Sequence, residues 1–459
     1  MSEVIKAEKN NDDNNWKLAN FLKFIIPSFI GVSLFLIPIE YNGKMTVALG
    51  LMAELLQSSI GDSMAYVATL IFVSSALLSL FYCFAPKAWC DRTPQLTSLF
   101  RTGFIWLSLR IMGAFFSTLT LLQIGPEWII GKSTGVTAFV DIAGIIFCLI
   151  GIGCLLLPLL TDYGFLEFVG TLLRKVFKKV FGLPGRSTID ALASWVGSSS
   201  IAVLVTIRQY ETGFYTMREA SVIATNFSVV SVPFVVLTAQ VAGIPEHFFQ
   251  LYASMVVIGV ICAVVTPKLP PLSRIPDNYY PPIGKQIKEE VVGNRSSGNW
   301  ALQQALDRAS NAPGLVTMFK RGTHSLFDLF FTMMPAAMTI EFLALAIYHH
   351  TGIFHFLTLP LVPILELMNI PEAQAAAPGI VTGLLDQFVP AIIAGGIDNP
   401  ITSFILAGLS VTQLIFFAES AILIMRSKIP LSVPQLIAIF CIRTVIALPI
   451  LTLIAHWLF

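Results

Sequence analysis

Two clusters of polar residues stand in the middle of long apolar stretches: Ser198, Ser199 and Ser200, and the pair Asp386 and Gln387. The serine hydroxyls can donate and accept. A helix that starts after them aims backbone N–H groups at the same point, which favours anionic or polar ligand groups. The competing explanation is that small residues let two helical arms pack closely. Asp386 is the stronger candidate, because an ionised carboxylate at such depth needs a partner. A structural hydrogen bond is its alternative role.

Two neighbouring stretches carry further polar groups. Asn226, Ser228, Ser231 and Pro233 interrupt residues 219–242, and Gln413, Glu419 and Ser420 interrupt residues 401–425. A proline leaves a backbone carbonyl free, and oxygen-rich groups suit a hard cation such as Na⁺. Interhelical hydrogen bonding explains any single one of them equally well. Arg110, Asp141, Glu341 and Arg443 also fall in apolar stretches, where a charge costs about 2.5–3.5 kcal/mol at a helix centre. If their helices are antiparallel neighbours, Glu419 and Arg443 come within reach of each other, and a structural salt bridge is expected. His349, His350 and His355 have no carboxylate or cysteine companions, so no metal site is expected there. The chain contains no GxxxxGK[ST], HExxH or GxSxG pattern, so it is not expected to be an enzyme.

The elements that must position these residues follow from composition. Of 459 residues, 55% are hydrophobic and only 12% charged, and the net charge is +1. Soluble domains carry roughly 25% charged residues. This excludes a soluble enzyme, a disordered scaffold and a nucleic-acid binder, and leaves an all-α polytopic membrane protein. The six cysteines form no CxxC pair, and all but Cys90 lie in apolar runs, so they read as small hydrophobes. The polar, mixed-charge start MSEVIKAEKNNDDNNWK does not resemble a cleavable signal peptide.

Nine stretches have the ~20 apolar residues that a spanning helix needs: roughly 20–40, 63–85, 102–124, 136–160, 219–242, 248–266, 324–350, 401–425 and 433–457. The stretches 186–212 and 373–399 are long enough but broken at the middle, by GSSS and by LLDQFVP. Both are expected to be re-entrant hairpins. Residues 46–58 are too short to span and stay unassigned. This map puts 24 of the 28 Lys and Arg residues on one side. Positive-inside logic then places the N-terminus in the cytoplasm and the C-terminus outside. Residues 163–181 read as an interfacial amphipathic helix, and 353–368 as its apolar counterpart on the other side.

The expected organisation is a cytoplasmic tail (1–19), peripheral spanning helices (20–135), a first repeat (136–266), a cytoplasmic linker (267–323) with a short helix near 299–311, and a second repeat (324–457). Each repeat has the order spanning helix, interfacial helix, hairpin, two spanning helices, and the copies start on opposite sides. At an offset of about 188, Gly164 matches Gly352, Phe168 matches Phe356, Ser198 matches Asp386 and Ser199 matches Gln387. Inverted repeats with broken helices meeting near the midplane are a transporter architecture.

The segment FGLPGRSTIDALASWVGSSSIAVLVTIR (181–208) and the YETGFYTMREASVIATNFSVVSVPF that comes after it resemble the nucleoside-recognition Gate region of YjiH-type bacterial membrane proteins and of ferrous-iron permeases. The motif positions are Gly182, Gly185, Arg186, Ser187 and Arg208. The element order also resembles concentrative nucleoside transporters. Their Gln-Thr-Glu and Asn-Glu-Phe hairpin motifs are replaced here by Ser-Ser-Ser and Asp-Gln-Phe, and the GTPase domain of the iron permeases is absent. The resemblance implies an inner-membrane secondary transporter of a nucleoside or other small polar metabolite. An Na⁺ or H⁺ gradient would drive it, by alternating access around the two hairpin tips. No cofactor is expected, and a bound Na⁺ is left open. The expected partners are a small-molecule substrate and the lipid bilayer, with homo-oligomerisation left open and no nucleic acid. A Gate-domain assembly component that does not transport, or a metal-ion permease, remain the alternatives.

Overall fold

The computed structural model describes residues 2–41, 43–61, 63–196, 199–281, 283–285 and 297–459. The described residues are almost entirely helical, with one two-stranded ribbon, Pro38–Tyr41 against Lys44–Val47. Among the described residues, seven helices are long and apolar enough to cross a membrane: Leu18–Phe35, Ser63–Phe84, Phe104–Leu122, Glu127–Thr161, Pro245–Lys268, Leu315–His350 and Val433–Leu458. The protein is an all-α polytopic membrane protein.

The other two expected spans are split. Residues 219–242 form Met217–Asn226 and Val232–Val241, and residues 401–425 form Pro400–Thr412 and Ser420–Arg426. Local sequence explains where each piece starts. Thr216 and Glu219 make a reciprocal capping box, Pro233 stands in a first helical turn, and the Asn399 side chain caps Ile401 N before Pro400 opens the next helix. Leu414 holds a left-handed φ of 60° within the second break, a backbone state that a branched side chain adopts only under tertiary constraint.

Both broken apolar stretches are helix pairs: Ser187–Val196 with Ser199–Glu211, and Ala373–Thr382 with Phe388–Gly395. The arms of each pair pack on one another. Two apolar cores divide the broken helices between the hairpins. The first hairpin shares a core with Ala220–Phe227, Ala421, Ile424 and the early part of the last helix, including Leu436 and Phe440. The second hairpin shares the larger core with Val232–Ala239, Phe404–Leu409 and the later part of the last helix, including Leu451. Each broken helix therefore contributes one piece to each core, and its break lies where the cores meet.

Three boundaries differ from expectation. The N-terminal residues expected as a polar tail continue the first helix from Ser2. The linker helix runs Ser297–Ser310, and the next span begins at Leu315, inside the expected linker. The unassigned stretch forms Ala48–Ile60, packed on Ala143–Leu156. Gly164, at φ 101°, brings the interfacial helix Phe165–Val176 against Ala305 of the linker helix. Arg308 extends that contact, 3.5 Å from Asp162 and 3.3 Å from Glu167.

Candidate functional site

The second hairpin tip is built around Asp386. Its Oδ1 accepts at 2.7 Å from the backbone N of Phe388, the first residue of the helix Phe388–Gly395. The tip is held by the second break: Phe417 N and Ala418 N each donate over 2.9 Å, to Leu384 O and Leu385 O. Ser410 Oγ donates to Gln387 O. Ser420 closes the break on itself, donating to Leu414 O at 2.7 Å and accepting from Phe416 N at 3.1 Å. The first hairpin is tied to the first break in the same manner, Ser194 Oγ donating to Val229 O at 2.6 Å.

Asp386 and Gln387 line a cavity of about 120 Å³ together with Glu419 and Ser231, room for several water molecules. Two hairpin-tip residues and one residue from each break thus meet at one space. Asp386 is buried at 5% exposure, and the Gln387 side chain has no hydrogen-bond partner among the described residues. The opposite wall is apolar and includes Phe234, Met334, Met338 and Cys154. Sequence reading did not place these sulfurs at the site. Among the described residues, no group of three His, Cys, Asp or Glu side chains could hold a metal ion.

Three carboxylates gather here. Glu419 and Glu341 both interact electrostatically with Asp386. Glu341, on the helix Met334–His350, is 0% exposed, and neither of its oxygens has a hydrogen-bond partner among the described residues. Sequence reading marked Glu341 only as a costly buried charge. Its link to Asp386 depends on how the helix is rotated, which spacing does not reveal.

The remaining candidates are engaged mainly with protein atoms. Asn226 Oδ1 accepts from Arg443 Nη1 at 2.9 Å and from Thr266 Oγ1 at 2.7 Å, and its Nδ2 donates to Val222 O and Thr225 Oγ1. Ser228 Oγ donates to Ala224 O at 2.8 Å. Gln413 Nε2 staples the second hairpin to the last helix through Ile380 O and Thr444 Oγ1, and its Oε1 is buried without a partner. Ser199 is buried at the start of its arm, and Ser198 and the Ser200 side chain lie outside the described residues.

The expected Glu419–Arg443 salt bridge is not present. Arg443 instead donates from Nε and Nη2 to Thr412 O, at 3.0 and 2.6 Å, and from Nη1 to Asn226 Oδ1 and Thr225 O. Thr412 and Asn226 end the first pieces of the two broken helices. The guanidinium therefore sits on two helix C-termini, where the dipoles favour a cation. That location outcompetes a single carboxylate on a neighbouring helix.

The curated protein BpOF4_10220 of Alkalihalophilus pseudofirmus, described as uncharacterized, is 42% identical over 457 residues, covering 100% of this chain and 98% of its own. The chain belongs to that family. Residues 143–245 match the Gate family, described as nucleoside recognition. The solved structure of CNTnw in an inward-facing substrate-bound state is similar over 89% of this chain and 100% of its own, at 13% identity and a TM-score of 0.39. The Gate match covers the first hairpin and first broken helix, which supply Ser199, Asn226, Ser228 and Ser231. Within it the GLPGRS motif does not line that cavity. Gly182 takes a left-handed turn at φ 67°, Ser187 Oγ donates to Pro184 O, and the Arg186 guanidinium lies 4.0 Å from the Phe214 ring centre. The Arg208 side chain is exposed.

Proposed function

We propose that this Gate-family protein is an inner-membrane secondary transporter of a small polar solute, a nucleoside or another small metabolite, driven by an Na⁺ or H⁺ gradient. The carrying observation is the cavity where Asp386 and Gln387 meet Ser231 and Glu419. It pairs polar groups with an apolar wall, the usual composition of a small-molecule site. The two halves, 136–266 and 324–457, act as inverted repeats, with the N-terminus cytoplasmic and the C-terminus outside. The breaks are the points about which one bundle moves against the other. The Gate description, nucleoside recognition, supports the solute class.

A thermal-shift screen of the purified protein tests this reading. Nucleosides and amino-acid derivatives are added with and without Na⁺, at two pH values. At least one solute should raise the melting temperature, and Asp386→Asn or Gln387→Ala should remove that shift. A shift that survives both substitutions would place the solute elsewhere.

A further inference from the structure

A second cavity, of about 850 Å³, lies at the base of the first hairpin, on the face where Lys and Arg concentrate. The interfacial helix contributes Arg174 and Lys178, the hairpin base Gly185 and Arg186, and the linker Lys285 and Trp300. The GLPGRS motif thus faces this space and not the hairpin tip.

The basic side chains here are placed by specific contacts. Gly185 leaves the room that the stem of Arg174 fills: a Cβ at that position would overlap Arg174 Cγ. Arg174 then lies 5.2 Å from the Trp300 ring centre, Arg186 4.0 Å from Phe214, and Lys285 5.7 Å from Tyr279. Stacking occupies the face of a guanidinium and leaves its in-plane N–H groups for a planar or tetrahedral anion. One carboxylate, Glu219, also lines the cavity, and its Oε2 accepts from Thr216 N within the capping box. Among the described residues, four basic side chains and one carboxylate line the space. Among the described residues, Arg174, Arg186 and Lys285 form no ion pair.

We propose that this cavity is a binding site for a phosphate group, bridging the interfacial helix, the first hairpin base and the linker. Basic pockets beside spanning helices suit lipid headgroups, and the same donors suit free phosphate. Occupancy would tie the linker to the hairpin and so bear on how freely the hairpin moves. The proposal is independent of solute transport by the other cavity.

The test measures binding to the full chain in detergent by thermal shift and native mass spectrometry. One arm titrates inorganic phosphate, and the other an anionic phospholipid against a zwitterionic one. Saturable binding is expected in at least one arm: phosphate alone would identify a soluble ligand, and anionic lipid alone a headgroup. Arg174→Gln with Arg186→Gln should weaken that binding roughly tenfold or more. Arg101→Gln, an exposed charge outside the cavity, should leave it unchanged. Should the double variant not fold, Lys285→Gln in the exposed linker should still weaken binding by several-fold. No saturable binding in either arm, or equal binding by wild type and the cavity variants, overturns the proposal.

Discussion

Arg443 Nη1 donates to Asn226 Oδ1 across 2.9 Å, joining residues 217 positions apart in the chain. Two other nitrogens of the same guanidinium take Thr412 O. One permanent charge therefore clamps the broken ends of both interrupted helices, and it sits fully buried. Loss of that clamp should be costly. Arg443→Met removes the side-chain donor from Thr412 O and Thr225 O and one of the two donors to Asn226 Oδ1, and should destabilise the protein by on the order of 3 kcal/mol. Arg443→Lys should recover only part, because an ammonium lacks the fork that reaches two separate acceptors. Thermal melts of the three proteins in one detergent check this, and wild-type stability in Arg443→Met would remove the clamp from the account.

Glu341 should behave in the opposite sense. It is 0% exposed with both oxygens unpartnered, and it faces the charge of Asp386. Glu341→Gln keeps the shape and removes a carboxyl group whose ionised form would have no compensating partner among the described residues. Replacing buried ionic groups by neutral groups of similar volume is often neutral or stabilising. The melting temperature at pH 8 should hold or rise. A fall of several degrees would show that the carboxylate has a stabilising partner.

The hairpins can be tested without knowing any ligand. Lys179 and Thr212 are exposed on either side of the first helix pair, and Gln374 and Asp398 on either side of the second. Cysteines at the first two positions should both label from the cytoplasm, and those at the other two from outside. Ser187 is unsuitable as a reporter because it is fully buried. Labelling of Lys179→Cys and Thr212→Cys from opposite sides would mean that the first pair spans the membrane, and the inverted repeat would fail with it.

Much of this architecture was legible because breaks in apolar runs have local causes. Pro233, the GSSS tip, the Asp386–Gln387 pair and the group Gln413, Glu419 and Ser420 marked the four interruptions directly. The ribbon at Pro38–Val47 was also readable, since Asn42–Gly43 is a strong hairpin signal, but the apolar stretch 20–40 runs into its first strand. The partner of Arg443 was not legible. Spacing along an axis placed Glu419 within reach, yet side-chain direction is set by helix rotation and by where neighbouring helices end. The Glu341–Asp386 relation was hidden for the same reason. The second cavity needed tertiary structure as well, because Trp300 and Lys285 reach the GLPGRS turn only once the linker folds back.

The account rests most heavily on Asp386, the tip carboxylate that meets Gln387, Ser231 and Glu419 at the cavity. The direct measurement is uptake into proteoliposomes of the solutes that stabilise the purified protein, under an imposed Na⁺ or pH gradient. Asp386→Asn retains size and the bond to Phe388 N while removing the charge. Wild type should accumulate at least one such solute under one of the gradients, and the well-folded Asp386→Asn protein should lose gradient-dependent uptake. Accumulation that is equal in both proteins, or no better than in empty liposomes under either gradient, would contradict the claim.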